Sequence, residues 1–593
     1  MITLNQLSHA IISSIATKLS LTPREILEAG TTVTLLDASS HHTGDLTTNA
    51  AMTLARLLKK PPRMLAELIT AALTEHPSQS PLLTYLDTIT IAGPGFINIT
   101  VTPTFWAAIA RTLHTDAKAY FKAEAIQNST SNSIEFSQSN PAFPLHIGKA
   151  HYASSSTDLP NTPQQTPSYL IEFVSANPTG PLHLGHGRNA IIGSVLERVL
   201  TFAGNTVHTE FYINDAGVQM NKLGASLKVR CLQSLGHVAE IPEEGYHGEY
   251  LITLAEECVA AYGPSVIENE ISFFTDYAQE KLIEQQKQEL AAYGVTFNRW
   301  FSERTLHANG SITAALDELE QKGFLYTKDG ALWFKSTEFG DDKDRVIRKQ
   351  DGTLTYIAPD IAYHVDKLSR GFQTLINIVG QDHHGYILRL KGTLAALGYD
   401  PARLDVILYQ LVSLKQGTTP IKMSKRSGTF IGLQEVIDTV GVDAARFFFL
   451  HKKADSHLEL DIDIALKQTQ ENPVFYLQYA YVRTLSIAHK AAEAGLGIQP
   501  STLSFTAEEI VVLKKLLGLS TALSAVTSLY ATHTLAQYAL DLAQTFHTFY
   551  TNHKVIDLAA PETSARRLAI VHAVREVLAL TLDLLGLSKP ESM

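Results

Sequence analysis

The run from Tyr169 to Leu200 constrains the fold more than any other stretch, because its grammar changes partway from strand to helix. Tyr169 to Val174 is apolar and β-leaning, Asn177-Pro178-Thr179-Gly180-Pro181 is turn chemistry, and apolar residues then recur at helical spacing through Ile191, Ile192, Val195, Leu196, Val199 and Leu200. A strand feeding a helix through such a turn aims free backbone N–H groups, and the positive end of the helix dipole, at the crevice beyond the strand. A phosphate suits that place. His183-Leu184-Gly185-His186-Gly187 stands at the helix start. His183 and His186, at i and i+3, share one side of its first turn, while Gly185 and Gly187 allow ligand and backbone to come close.

Strand and helix signals keep alternating after this segment. Leu375 to Gly380 and Asp405 to Tyr409 are apolar runs of strand length. Residues 169–441 therefore predict an α/β domain, a Rossmann-like doubly wound parallel sheet, with ligands bound beyond the strand C-termini where strand order reverses. Within it, residues from about 220 to 340 read as a mainly helical insertion.

Three further regions flank this domain. Residues 1–110 predict an α+β module: an amphipathic pattern through Leu4, Leu7, Ile11, Ile12, Ile15 and Leu19, helix signals from Met52 to Leu73, and two short strands around Gly93-Pro94-Gly95. Residues 111–168, rich in Ser, Thr, Asn, Gln and Pro, predict a linker or insertion of low order. Residues 442–593 predict an all-α domain with helices beginning near Asp443, Ala465, Ala507, Ser520 and Ser564.

Two other segments bear chemistry. Lys422-Met423-Ser424-Lys425-Arg426-Ser427-Gly428 is a basic, glycine-bearing loop that follows a strand. Tyr356-Ile357-Ala358-Pro359-Asp360 offers a phenol and a carboxylate at i and i+4. A net charge of −11 does not advertise a polyanionic partner, although an acidic body can carry a local basic stripe. The two cysteines, Cys231 and Cys258, are too few for a disulfide framework or a zinc cluster, which points to a reducing compartment and no structural metal. With no basic start leading into an apolar core, and a C-terminal apolar run too short to span a bilayer, the expectation is a cytoplasmic protein away from membranes.

Taken together, these residues resemble the class I aminoacyl-tRNA synthetases, and among them the arginyl-tRNA synthetase family. His183 to Gly187 has the form of the HIGH signature, and Lys422 to Gly428 that of KMSKS with Arg426 in the last place. Glu172 to Arg188, Phe211-Tyr212-Ile213-Asn214-Asp215-Ala216-Gly217, Tyr356 to Asp360, Gly380 to Tyr386 and Asn472 to Ala480 follow in the family's order. Asp45 to Ala51 and Pro94 to Asn98 resemble its N-terminal domain, which contacts the outer corner of tRNA. Val442 to Leu450 resembles the phrase that names its DALR anticodon-binding domain, with Ala445 in place of leucine.

The resemblance implies ATP-dependent activation of L-arginine and its transfer to tRNA(Arg). It implies His183, His186, Lys422 and Lys425 as catalytic residues. ATP would also meet Gly185, Gly380, His383, Met423 and Ser424, with Mg²⁺ arriving on its phosphates and no dedicated metal site. Asp360 would anchor the guanidinium with Tyr356 beside it, and Glu172, Asn177 and Gln381 would hold the amino end or complete the pocket. Pro359 departs from the polar residue the family carries there. Tyr479 and Arg483 would face tRNA, although the aromatics around them also suit a bundle core. A monomer is expected.

Two readings compete. A small-molecule nucleotidyltransferase uses a related His-x-Gly-His turn but needs no helical C-terminal module, and a non-catalytic tRNA-binding relative would not keep His183, His186, Lys422 and Lys425. Glu135 to Lys149 echoes the key segment, with Lys149 replacing the second histidine; prolines follow it where a helix would be needed, so the later copy is assigned to the nucleotide.

Overall fold

Five strands, all parallel, form the central sheet of the computed structural model, which describes residues 2–36, 44–75, 80–135, 166–417, 419–421, 432–498 and 504–593. They are labelled here β1 (Ser168–Glu172), β2 (Thr206–Ile213), β3 (Arg299–Ser302), β4 (Thr374–Gly380) and β5 (Leu404–Tyr409). Their spatial order is β5-β4-β1-β2-β3. From β1 the chain winds outward to β2 and β3 on one side and returns to β4 and β5 on the other, so order reverses between β1 and β4. A crevice opens beyond the strand ends at such a point. This is the doubly wound sheet that the sequence predicts.

The helices that position the crevice are α1 (Leu184–Phe202), α2 (Val218–Ser234), α3 (Tyr250–Tyr262), α4 (Ile271–Ala292), α5 (Glu303–Ala308), α6 (Ile357–Ser369) and α7 (His384–Leu397). Helix α1 is buried nearly all round, from Leu184 to Leu200, because it lies against the sheet on one side and the helix Val442–Leu450 on the other. The expected insertion is mainly helical, holding α2 to α5 and Ser311–Gln321, and it carries short strands as well. Helices α2 to α4 fill its first half, but Arg299-Trp300-Phe301-Ser302 then joins the edge of the main sheet, and Leu325–Lys328, Ala331–Phe334 and Arg345–Arg348 form a separate antiparallel sheet. Trp300 and Phe301 alternate across β3, with Trp300 stacked on Phe211 and Phe301 on Tyr212, which is a strand's packing. Cys231 and Cys258 are free thiols buried in the core shared by α2, α3 and α4.

Two boundaries also move. The helix Pro103–Glu135 continues well into the expected linker, with Leu113, Ala117, Tyr120 and Phe121 buried against Ala507–Leu529 and Pro561–Leu585. Its apolar residues recur at helical spacing, which the polar composition of the longer window hides. Residues 1–135 thus cluster with residues 468–529 and 534–593, and the two ends of the chain build one unit. The helix Val442–Leu450 belongs to the sheet-bearing unit instead of the C-terminal bundle, since Arg446, 1% exposed, donates to the Tyr293 carbonyl at 2.8 Å and to Ser194 Oγ at 3.2 Å.

In the unit built from the chain ends, Leu4–Leu19, Ala50–Leu58 and Pro62–Glu75 accompany a four-stranded antiparallel sheet, and four long helices follow: Pro473–Glu493, Ala507–Leu529, His533–Asn552 and Pro561–Leu585. Ser520, expected to start a helix, lies inside Ala507–Leu529. That helix is long and apolar enough to cross a membrane, yet Leu513, Leu516, Leu517, Leu519, Leu523 and Val526 are buried in the bundle. Asp45 ties the unit together: its carboxylate pairs with Lys514 at 2.8 Å and accepts the Val101 N–H at 2.9 Å.

Candidate active site

The chain leaves β1 under constraint. Val174 and Ser175 have φ of 67° and 43°, a region that non-glycine residues rarely adopt and that here bends the backbone sharply at the strand end. Asn189 of α1 holds the bend, accepting from the Val174 N–H at 3.0 Å and donating to the Ile378 carbonyl of β4 at 2.9 Å. One side chain thus fixes the helix to both strands that flank the crevice.

At the mouth of α1, His183 is the N-cap, and its Nδ1 accepts the Gly185 N–H at 3.1 Å. His186 Nδ1 accepts the His183 N–H at 3.3 Å, and the two imidazoles stack with centroids 3.6 Å apart. This reciprocal cap orders the first turn, as a Ser/Glu capping box does. Gly185 and Gly187 serve different ends. A Cβ on Gly185 would press the His183 ring at 3.0 Å, whereas one on Gly187 would meet Leu433 at 2.5 Å and Phe449 at 3.0 Å, so Gly187 makes room for packing and not for ligand.

Lys422, Met423, Ser424 and Lys425 lie outside the described residues, as do residues 136–149 of the echo. The chain on either side of the basic loop is described. Thr419–Ile421 pairs with Val412–Gln416 before it, and after it Gly432 bridges to His183 while the Leu433 N–H donates to the Leu182 carbonyl at 2.8 Å. The described chain thus resumes at Gly432 against the helix mouth.

An acidic cup faces the same strand ends. Asp360 sits in the first turn of α6, where Pro359 is tolerated because that turn's N–H groups have no helical partner; Tyr356, not Asp360, is the N-cap. Burial raises the Asp360 carboxyl to about 7 against the opposing effect of the Tyr386 hydroxyl bonded to it, and the charges of Glu172 and Glu303 push in the same direction as burial. Glu303, the first residue of α5, is also raised by burial. The buried Tyr212 hydroxyl faces all three carboxylates. Glu172, closing β1, is held by Lys367 at 2.5 Å and by the Ser175 hydroxyl at 2.9 Å. Lys367 is wholly buried and also donates to Asn377 Oδ1 at 3.1 Å, and Asn377 contacts His364 at 2.8 Å. Burial keeps His364 well below its ordinary pKa, so it stands neutral beneath the cup.

The other predicted residues are spread more widely. Tyr356 is 77% exposed, and the phenol bonded to Asp360 belongs to Tyr386. Asn177 is exposed on its turn and donates to Gln219 at 3.2 Å. Gly380 ends β4 opposite Tyr409, and Gln381 and His383 are exposed in the short turn that follows. Reading the sequence missed Glu303, Tyr212 and Tyr386 as cup residues. Tyr212 and Tyr386 lay inside segments already singled out, but Glu303 carried no local signal because a neighbouring strand, not its own spacing, brings it there. In the other unit, the Arg483 guanidinium lies over the rings of Tyr479 and Tyr550 at 5.0 and 5.2 Å and bonds the Tyr479 hydroxyl, all partly exposed.

Family models match nearly the whole chain in the order the fold presents it: the arginyl tRNA synthetase N-terminal domain over residues 5–101, the catalytic domain of tRNA synthetases class I (R) over 153–462, and the DALR anticodon binding domain over 477–593. The chain is 41% identical over 558 residues to the arginine–tRNA ligase of Geobacillus kaustophilus, covering 93% of this chain and 92% of that one. The chain belongs to the arginine–tRNA ligase family. The enzyme of Caldanaerobacter subterraneus is 40% identical over 562 residues with the same coverage. The fold is that of the Thermus thermophilus arginyl-tRNA synthetase, with a TM-score of 0.70 at 21% identity over 98% of this chain and 99% of that one. A Mycobacterium tuberculosis methionyl-tRNA synthetase superposes less closely, at a TM-score of 0.53 over 71% of this chain and 92% of that one. A helical C-terminal domain matched as an anticodon-binding module is what the nucleotidyltransferase reading does not need.

Proposed function

We propose that the protein activates L-arginine with ATP, forming arginyl-adenylate and pyrophosphate, and transfers the arginyl group to the 3′-terminal adenosine of tRNA(Arg). The carrying observation is the cup of Asp360, Glu303 and Glu172 under the phenols of Tyr212 and Tyr386, set at the strand ends from which the imidazole-lined helix mouth departs. A guanidinium is planar, always charged and carries five donors, so two carboxylates with further oxygens beside them match it. Lys367 already neutralises Glu172, which leaves Asp360 and Glu303 for the guanidinium and suits Glu172 to orienting the amino end.

Adenylate formation is attack of a carboxylate on the α-phosphorus with pyrophosphate leaving, and it needs alignment and charge neutralisation more than a side-chain nucleophile. The N–H groups of α1 and the imidazoles of His183 and His186 receive phosphate and ribose. Lys422 and Lys425 are assigned to the departing pyrophosphate, with Met423, Ser424, Gly185, Gly380 and His383 around the nucleotide. Mg²⁺ would come with ATP, held mainly by phosphate and water. Tyr479 and Arg483, an aromatic and cationic pair on the bundle, suit an RNA base and its phosphate. The protein is read as a cytoplasmic monomer in which adenylate forms only once tRNA is bound.

Rejecting the wrong amino acid follows from the same cup, since a misfit leaves buried carboxylates unpaired. Pyrophosphate exchange into ATP, with tRNA present, tests the reading: arginine supports it and the other nineteen amino acids do not. Exchange driven by a phosphorylated metabolite and never by arginine would overturn it.

A further inference from the structure

The segment Phe211 to Gly217 has the family's order, yet the proposed reaction gives its aspartate no task. Asp215, just beyond the end of β2, is 3% exposed. Its Oδ1 accepts the backbone N–H of Arg304 at 3.0 Å, and its Oδ2 accepts the Ser302 hydroxyl at 2.6 Å and the Gln279 amide at 3.0 Å. Its own carbonyl accepts Arg304 Nε at 2.9 Å, and the same guanidinium continues to Asp276 at 2.9 Å and Gln279 at 2.7 Å.

These bonds replace an ordinary helix cap. Ser302 is the N-cap of α5, and its hydroxyl would normally accept an N–H of the first turn. It makes no such bond, because it is turned to Asp215, whose other oxygen takes the orphan N–H of Arg304 instead. The cap is therefore supplied by a different strand. Glu303 lies between the two residues so fixed, and its carboxyl faces Tyr212, three residues before Asp215, as well as Asp360. A six-residue helix has little order of its own, so where Glu303 sits depends on what grips the helix ends, while its Oε1 also lies 3.4 Å from His307 Nε2 one turn on.

We propose that Asp215 is the positioning residue that aims Glu303 at the substrate guanidinium, an inference that rests on the arginine reading of the cup. It touches no substrate. Its loss frees the Ser302–Arg304 turn and lets the Glu303 carboxylate swing from the cup, while the nucleotide half of the crevice keeps its shape.

The test is arginine-dependent pyrophosphate exchange by the full-length protein with tRNA, with KM measured separately for arginine and ATP in Asp215→Asn, Glu303→Gln and the double variant. Asp215→Asn is expected to raise the arginine KM about tenfold, the worth of one charge-assisted hydrogen bond, with the ATP KM within about twofold of the parent. In the Glu303→Gln background it should add little, because the two residues act as one unit. Ser302→Ala, which removes one arm and leaves the fold, should raise the arginine KM in the same sense by a smaller factor; it decides the matter if Asp215→Asn does not fold. Additive effects of Asp215→Asn and Glu303→Gln, or equal rises in both KM values, overturn the role given to Asp215. An arginine KM unmoved by Glu303→Gln overturns instead the part of the cup assigned to Glu303.

Discussion

Asp360 carries the largest consequence of any single residue. Its carboxyl, ordinarily near 3.8, stands at about 7, chiefly because burial disfavours its charge. A guanidinium needs the ionised form, so arginine binding must displace a proton below that value. The arginine KM is expected to rise as pH falls from 8 to 6, approaching about tenfold per pH unit below 7, while the ATP KM stays flat. A raised folded pKa also means that the stability lent by this group is fully present below 3.8 and is lost as pH climbs through 7. Asp360→Asn should therefore abolish arginine-dependent exchange with ATP affinity near normal, and should melt above the parent at pH 8 without ligand, the gap narrowing as pH falls below 7 and closing only below about 3.8, where the carboxyl is neutral in both folded and unfolded parent. Unchanged activation would remove Asp360 from the cup.

At the scale of elements, the strand–turn–helix from β1 to α1 was legible because turn residues, a glycine pair and apolar periodicity all agree within thirty-odd residues of chain. What the spacing could not disclose was how the turn is held. Arg188 is wholly buried and donates to the carbonyls of Gln410 and Ser456, both at 2.8 Å, and of Lys453 at 2.7 Å; burial lowers its pKa to about 10. Replacing it by methionine leaves three acceptors without a charged donor and should cost about 3 kcal/mol or more, read as a lower urea midpoint with unchanged slope. The insertion braces the turn from the other side: Gln286 donates to the carbonyls of Asn177 and Gly180 at 3.3 and 3.1 Å, and the Tyr250 hydroxyl to that of Thr179 at 2.5 Å. Such contacts join residues far apart in sequence, and for the same reason Glu303 and the edge strand Arg299–Ser302 escaped notice. Tyr356 misled in the opposite direction, since i, i+4 spacing to Asp360 promises neighbours on a helix, but helix α6 begins only after it.

Across the whole molecule, composition gave the outer segments their character but not their partnership. The N-terminal module and the C-terminal bundle look independent in sequence, yet Pro103–Glu135 supplies the face on which Ala507–Leu529 and Pro561–Leu585 pack. Trp106, Tyr120 and Phe121 are buried in that unit, and their loss would expose apolar surface on both long helices. Residues 468–593 expressed alone should show helical circular dichroism without a cooperative melt, and co-expression with residues 1–135 should restore a single sharp transition in a co-purifying pair. A cooperative melt of the isolated bundle would deny that the chain ends share a core. The central claim, that one crevice holds phosphate at the α1 mouth and a guanidino group at Asp360 and Glu303, is tested most directly by a crystal structure with a non-hydrolysable sulfamoyl analogue of arginyl-adenylate. The guanidinium is expected bonded to Asp360 and Glu303 and the sulfamoyl group at the N–H groups following His183; a guanidinium bound away from both carboxylates would contradict that claim.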